Sequence, residues 1–443
     1  MNTFFEPNSI DMKVALIYPP HPYLIRPYSQ APLGLAYLGA VLRKNGITVD
    51  IFNLSGEPTD TALDKLPTDY DLYGFTATSV DYKVCEHLAG LIKTRNPQAR
   101  VVLGGAHATV APEMVSPLHF DSYVIGEGEI AVLKMVHDIH TGSIKPFYKE
   151  DRLTDLDALP YPARDLFDNV GEGVFAFGQN FTESGLSTTI MASRGCPFNC
   201  FYCASKPVWR GKVTYRSIES VLAEAKMLVD NFGIRQLRFT DDTLNLSRER
   251  LHSLCKGLGK LGVVWRCSVR AGLSTYDDFK LMHDSGCMEI SPGIESGDQR
   301  VLTFLNKKAT VEDNINLVTW AMKAGINTRI LLMSGTPGEH IDTPERTKEF
   351  LDAIDYHIVS LTFFRPVPGS PIWINPEKFD CKILDRNINN YSFYSWRKNA
   401  EGIPERAPIT SVIETKTLSK EQLEDNMRRM FRYVQKTGKA NEG

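Results

Sequence analysis

Short apolar runs alternate with longer amphipathic segments twice along this chain, and that rhythm leaves few folds open. Between residues 13 and about 140 the apolar runs are "KVALIYPP", "ITVDIFNL", "DLYGFTAT", "RVVLGG" and "DSYVIGEGE". The segments between them carry helical periodicity at Leu33 to Lys44, Tyr82 to Thr94 and Ile130 to His140. Strand and helix in regular alternation predict an α/β domain with an open parallel sheet of Rossmann-like type. Ligands of such sheets sit beyond the carboxyl ends of the strands. Here those ends carry Tyr18, Pro19 and Pro20, then Thr76, Thr78 and Ser79, then Gly104 with Gly105, then Gly126, Glu127 and Gly128.

The periodicity lapses from about 146 to 185, where "LPYP" and the glycines Gly171, Gly173 and Gly178 read as a linker. A second rhythm begins with "LSTTIMAS" and continues through "IRQLRFTDD", "VVWRCSVR", "MEISPGIESG", "INTRILLMSGTPGE" and "IVSLTFFRPVPGS", with amphipathic segments between. Six such units predict a partial (β/α)6 barrel, three quarters of the roughly eight units of a TIM barrel. The remainder holds an aromatic stretch with Tyr391, Phe393, Tyr394 and Trp396, read as packing rather than pocket lining, and the charged helix "SKEQLEDNMRRMFRYVQK" with a stripe of Met427, Met430 and Phe431. The expected organisation is therefore 1–145, a linker at 146–185, the partial barrel at 186–370 and a small, mainly helical region at 371–443.

A net charge of −3 over 443 residues offers no basic face for nucleic acid. The longest apolar stretch, "APLGLAYLGAVL", is far short of the roughly 20 residues a membrane helix needs. With Glu6 and Asp11 in the first residues the start does not read as a secretory signal, so the expected location is the cytoplasm. There the eight cysteines are not a disulfide framework. Five of them, Cys85, Cys255, Cys267, Cys287 and Cys381, stand singly among apolar residues and read as buried hydrophobes.

The other three fall within eight positions of "SRGCPFNCFYCASKP": Cys196, Cys200 and Cys203. Core-filling cysteines would not occupy a loop beside Gly195, Pro197 and Asn199. Structural zinc wants four closed ligands, which would require Cys255, Cys267 or a histidine to fold back. An iron-sulfur cube held by three thiolates keeps one iron open for another ligand.

The spacing C-x3-C-x-Φ-C, with Tyr202 before the last cysteine and a barrel strand before the first, resembles the radical S-adenosylmethionine (SAM) enzymes. The resemblance implies a [4Fe-4S] cluster on Cys196, Cys200 and Cys203, with SAM chelated at the open iron. One electron from an external donor of flavodoxin or ferredoxin type would then release a 5'-deoxyadenosyl radical toward a small-molecule substrate. It also implies roles at successive strand ends. Tyr202 lies near the adenine; Asp241 and Asp242, in "TDD" where "GGE" is common, approach the methionyl amino group. Ser268 and Arg270 reach the carboxylate, Glu295 in "GIESG" takes the ribose hydroxyls, and Gly335 and Pro337 in "LLMSGTPGE" contact the adenine. Arg365 is explained equally well by a surface ion pair.

The N-terminal domain resembles the cobalamin-binding domain that precedes the barrel in one radical SAM subclass. The resemblance implies that Gly104 and Gly105 admit a bulky tail, that Thr76, Thr78, Ser79 and Thr109 bond its amide arms and nucleotide loop, and that the helix from Leu33 backs the ring. The D-x-H-x-x-G motif that supplies a histidine to cobalt elsewhere is absent. His107 in "GGAHAT" is read as a tail contact, with a satisfied surface histidine as the rival. The expected reaction is cobalamin-dependent methylation of carbon or phosphorus. A non-methylating radical enzyme of the same architecture and a non-catalytic cluster- or corrinoid-binding protein are the alternatives.

Overall fold

The structure is a computed structural model, and it describes residues 10–21, 24, 26–28, 30–171, 186–391, 396–398 and 404–440. Phe393 and Tyr394, Gly173 and Gly178 lie outside the described residues. The chain forms two compact units. One comprises Met1–Gly173 with Pro207–Arg210 and Thr214–Arg216; the other comprises the rest.

The first unit is built on a six-stranded sheet of β1 (Lys13–Tyr18), β2 (Thr48–Asn53), β3 (Leu72–Thr76), β4 (Arg100–Gly104), β5 (Ser122–Ile125) and β6 (Phe147–Lys149), in the order β2-β1-β3-β4-β5-β6. Every pairing is parallel. β1 reads KVALIY, and its four middle residues are all buried, as expected of a central strand covered on both faces. The covering helices include α1 (Leu33–Lys44), α2 (Tyr82–Arg95) and α3 (Glu129–His140). α1 buries Leu35, Ala36, Tyr37, Ala40, Val41 and Leu42, so the longest apolar stretch is a core helix. No helix among the described residues is long and apolar enough to cross a membrane. From β1 the chain steps outward to β2 and returns on the other side to β3. The carboxyl ends of β1 and β3 therefore flank the switch point where such sheets bind ligands.

This unit continues past residue 145. Phe147–Lys149 pairs with Tyr123–Ile125 as a sixth strand, inside the stretch expected to be linker. A three-residue strand with Phe147 and Lys149 exposed on either side of Tyr148 is too short to register as alternation.

The second unit is a half-open barrel of six parallel strands in strict sequence order: β7 (Leu186–Ile190), β8 (Ile234–Phe239), β9 (Val264–Val269), β10 (Cys287–Glu295), β11 (Asn327–Ser334) and β12 (Ile358–Phe363). α4 (Ile218–Phe232), α5 (Arg248–Leu261), α6 (Tyr276–Asp284), α7 (Val311–Lys323) and α8 (Thr343–Asp352) follow successive strands. Local sequence sets their ends. Ser217 and Ser247 accept the N–H groups of Ser220 and Arg250 at the starts of α4 and α5, and Gly233 and Gly262 close both helices in the left-handed region, at φ 65° and 63°. The core lies between strands and helices: Ile190, Leu237, Phe239, Trp265, Cys267, Val269, Ile290, Ile294, Ile330 and Leu332 pack against Val221, Leu228, Leu251, Leu254, Cys255 and Leu258. The isolated cysteines Cys255, Cys267 and Cys287 are part of it.

Beyond β12 the C-terminal helix α9 (Lys420–Lys436) starts at a capping box of Ser419 and Gln422 and buries Leu423, Asn426, Met427, Met430, Phe431 and Val434. Two small antiparallel ladders accompany it, Cys381–Ile383 with Ile413–Thr415 and Trp396–Lys398 with Pro404–Arg406.

Candidate active site

The cysteine loop follows β7 at the carboxyl edge of the barrel and is fixed by its backbone. Phe201 N donates to Leu305 O at 3.0 Å, Ile372 N to Phe201 O at 3.1 Å, and Asn306 Nδ2 to Asn199 O at 2.8 Å. Cys203 N closes a turn onto Cys200 O at 3.1 Å. All three cysteines are free thiols.

Each thiol meets a different neighbour. Cys196 Sγ lies 3.9 Å from Thr243 Oγ1, Cys200 Sγ lies 3.7 Å from Arg270 Nη1, and Cys203 Sγ accepts from Ser205 N at 3.3 Å. Burial pushes the Cys203 thiol up to about 11, so loading a metal cluster must displace its proton. Among the described residues no three His, Cys, Asp or Glu side chains converge tightly enough for a single metal ion. Cys255 and Cys267 do not fold back, because they belong to the helix-side core. The donor set that remains is three cysteines on one loop, which fits an iron-sulfur cluster and not a closed zinc site.

The strand-end residues gather around this loop. Arg270 is buried, its guanidinium 3.7 Å above the centre of the Phe198 ring, and its Nη2 has no hydrogen-bond partner. Asn245, fully buried, clamps the Arg270 backbone by accepting from its N–H and donating to its carbonyl, both at 3.0 Å. Ser268 sits two residues earlier on β9, half-buried. Tyr202 Oη donates to Glu295 Oε1 at 2.8 Å, and Lys307 Nζ donates to the same oxygen at 2.7 Å. Gly293 makes room for this pair, since a Cβ there would lie 2.6 Å from Glu295 Oε1 and 2.9 Å from Lys307 Nζ. Glu295 itself adopts φ 67°, a left-handed conformation that costs a non-glycine residue on the order of 1–3 kcal/mol and is found where function or packing imposes it. Sequence reasoning missed Lys307 and Asn245; the glycine two residues before Glu295 was the available signal.

The two aspartates of "TDD" part company. Asp241 is buried and both its oxygens are engaged, Oδ2 by Ala192 N at 3.0 Å and Oδ1 by Ser193 Oγ at 2.5 Å, with burial raising its carboxyl to about 6. It fastens the turn between β7 and the cysteine loop. Asp242 is exposed and accepts from Ser205 Oγ at 2.7 Å. Arg365 is not on the surface: it is 5% exposed, and its Nη1 donates to Phe364 O at 3.0 Å.

After β11, Gly335 turns the chain at φ 80° against the C-terminal helix. Glu339 holds this turn, Oε1 accepting from Gly335 N at 2.6 Å and Thr336 N at 3.1 Å, while Asn426 Nδ2 donates to Oε2 at 2.9 Å. Pro337 lies in the same turn. Burial raises the Glu339 carboxyl to about 7, above the ordinary value of 4.5. Between those values the folded chain keeps a proton that the unfolded chain has lost, so this group's contribution is complete below about pH 4.5 and falls as pH rises toward 7. Glu339→Gln does not titrate. Denaturant melts at pH 5 and pH 8 should show the variant gaining on the natural chain by roughly 2–3 kcal/mol between the two pH values.

In the first unit the predicted residues lie at the carboxyl ends of β1, β3, β4 and β5 and on the loops just beyond them. Tyr18 packs edge-on to His21, whose Nδ1 is 2.9 Å from Asp81 Oδ1, with Pro19 between them in the chain. Thr78 Oγ1 donates to Asp81 Oδ2 at 2.6 Å. Gly105, at φ 91°, serves the neighbouring strand end: a Cβ there would meet Thr76 Oγ1 at 2.7 Å and Ala77 O at 2.9 Å, whereas one on Gly104 meets nothing closer than 3.8 Å. Thr109 Oγ1 accepts from Gly126 N at 2.9 Å, and Glu127 Oε2 accepts from Leu153 N at 2.9 Å. A Cβ on Gly128 would press on Leu38 of α1 at 3.1 Å. His107 is not a surface histidine. It is fully buried, stacked on Tyr82 at 4.3 Å, and 3.0 Å from Ser79 Oγ through Nδ1; burial lowers it to about 4 and keeps it neutral.

Comparison with known proteins agrees with both units. The Radical SAM superfamily profile matches residues 190–351 and the B12 binding domain profile matches residues 26–136. An uncharacterised methyltransferase of Pyrococcus horikoshii is 30% identical over 393 residues, covering 82% of each chain. The chain belongs to the radical SAM superfamily and carries a B12-binding domain. This radical SAM enzyme is also similar to the cytidylyl-2-hydroxyethylphosphonate methyltransferase of Streptomyces wedmorensis, 25% identical over 77% of each chain. Its fold matches the radical SAM methyltransferase TsrM of Kitasatospora setae, solved with cobalamin and a [4Fe-4S] cluster, at a TM-score of 0.71 and 16% identity over 98% of this chain and 91% of that one.

Proposed function

We propose that the enzyme is a cobalamin-dependent methyltransferase that acts on an unactivated carbon, or on phosphorus, of a small molecule or biosynthetic intermediate. The observation that carries this reading is the pairing in one chain of a three-cysteine loop, with no fourth ligand beside it among the described residues, and a parallel domain that matches a B12-binding profile over residues 26–136. The methyltransferase names of the relatives from P. horikoshii and S. wedmorensis support it.

Cys196, Cys200 and Cys203 would hold a [4Fe-4S] cluster, and Asp242, Ser268, Arg270, Tyr202, Glu295, Gly335 and Pro337 would hold SAM. Asp241, with both oxygens engaged, would act by positioning the loop. Tyr18, Pro19, Thr76, Thr78, Ser79, Gly104, Gly105, His107, Thr109, Gly126, Glu127 and Gly128 would form the cobalamin edge. When bound, these groups supply reductive cleavage of SAM to a 5'-deoxyadenosyl radical and delivery of a methyl group. The chain's own part is to orient and to exclude water. Arg270 would place a guanidinium beside Cys200 for the SAM carboxylate. Lys307 fixes Glu295 in one orientation, so its carboxylate is preorganised for a diol. A one-electron donor of flavodoxin or ferredoxin type would reduce the site from outside. The eight free cysteines fit a reducing compartment such as the cytoplasm.

The test follows the methyl group. Holoprotein reconstituted with cluster and cobalamin, reduced by a chemical one-electron donor and then given SAM labelled at its methyl carbon, should pass the label to cobalamin and release S-adenosylhomocysteine. No transfer, or no retained cobalamin, would leave a non-methylating radical enzyme.

A further inference from the structure

The C-terminal helix α9 has no part in the proposed chemistry, yet its polar side chains converge on one turn at the carboxyl end of the barrel. That turn, residues 335–342, joins β11 to α8 and passes through the left-handed region at Gly335 and again at Gly338. It is closed on two sides. A Cβ on Gly338 would lie 2.7 Å from Phe304 Cβ, and the next residue, Leu305, accepts the N–H of Phe201 in the cysteine loop. On the other side a Cβ on Gly335 would run into Met427 of α9.

Asn426, the neighbour of Met427, is fully buried and reaches the turn with both hydrogens of its amide. Nδ2 donates to Glu339 Oε2 at 2.9 Å and to His340 O at 3.0 Å. Three residues on and on the same face of α9, Arg429 Nη1 donates to Ile341 O at 2.8 Å and to Asn426 Oδ1 at 3.3 Å, while its Nη2 pairs with Glu345 at the start of α8. Glu339 joins the two halves of this arrangement, because the carboxylate that accepts from Asn426 also accepts from Gly335 N and Thr336 N. Without Asn426, Oε2 would be a buried carboxylate oxygen with no donor. Relief would come by swinging Glu339 away, which frees the N–H groups of Gly335 and Thr336.

Packing alone does not ask for this set. A leucine at 426 would bury as readily as Met427, Met430 and Phe431 beside it, whereas a buried amide that spends every hydrogen bond across the fold fixes a geometry. A turn that reads a base edge must be held to within about 0.5 Å by the residues behind it.

We propose that α9 belongs to the SAM site, with Asn426 a positioning residue that acts through Glu339 to hold the turn at residues 335–337 in the shape that reads the adenine. The inference rests on the reading of Gly335 and Pro337 as the adenine contact. It gives the C-terminal region a task, which is to set the affinity and base selectivity of the nucleoside half of the SAM site.

Anaerobic isothermal titration of the cluster-reconstituted full chain with S-adenosylhomocysteine and with S-inosylhomocysteine tests this without cobalamin or turnover. The two probes differ only at the base. The natural chain should bind the adenine compound at least tenfold tighter, since a site built to hydrogen-bond a group rejects the analogue that lacks it. Asn426→Ala, with unchanged cluster content, should shrink that preference at least threefold. A merely structural role would weaken both probes alike or lower only the melting temperature, so an unchanged preference overturns the proposal, as does a natural chain with no preference. Should Asn426→Ala fail to fold, Arg429→Gln takes its place, with a twofold smaller preference supporting the assignment and no change overturning it. If the natural chain binds neither probe, the SAM reading itself falls; if the variant alone behaves as the natural chain does, only the role of α9 falls.

Discussion

Cys200→Ala is expected to abolish SAM cleavage, lowering 5'-deoxyadenosine formation by at least about a thousandfold, because what remains is the uncatalysed reaction. Cys200 sits in the middle of the loop, its carbonyl closes the turn to Cys203, and its sulfur faces Arg270. With two thiols left, the loop cannot hold a cube on three corners. Iron and sulfide content should fall with activity, while circular dichroism should not change, since the turn and the contacts of Phe201 with residues 305 and 372 are made by the backbone. Full cluster content with normal cleavage in this variant would remove the cysteine loop from the chemistry.

The second large effect is on stability. A Cβ on Gly335 would lie 1.9 Å from Met427 Cε, and the residue holds φ 80°. Gly335→Ala should therefore cost about 2–4 kcal/mol, overpacking adding to backbone strain. The cost should couple to the C-terminal helix. In a double-mutant cycle, Gly335→Ala with Met427→Ala should be more stable than the two single effects added, by more than about 1 kcal/mol. Strict additivity would mean that the fifth-strand turn and α9 do not press on each other.

These variants divide along the line between what can be read from one sequence and what cannot. The three cysteines, the alternation of strand and helix and the glycine-rich strand ends were legible because they are local: a spacing, a period of two or of 3.6, a turn residue. Lys307, Asn245, Glu339 and Asn426 were not. Each acts across the fold, Lys307 on a carboxylate 12 positions away and Asn426 on one 87 positions away, and nothing near them in sequence announces the partner. Asp241 and Asp242 looked equivalent as neighbours, yet consecutive strand-end residues point to opposite sides, so one is buried in backbone hydrogen bonds and the other exposed. The surface alternatives for Arg365 and His107 fail because burial depends on what packs above them, which the local sequence does not show.

The central claim is that one chain couples SAM cleavage on the cysteine loop to methyl transfer from cobalamin. The most direct measurement is a single anaerobic incubation of the reduced holoenzyme, loaded with cluster and cobalamin, with SAM and a substrate-containing extract, quantifying both nucleoside products. 5'-Deoxyadenosine and S-adenosylhomocysteine should accumulate together in near-equal amounts as methylated product forms. Deoxyadenosine alone, with cobalamin bound and no S-adenosylhomocysteine, would contradict the account.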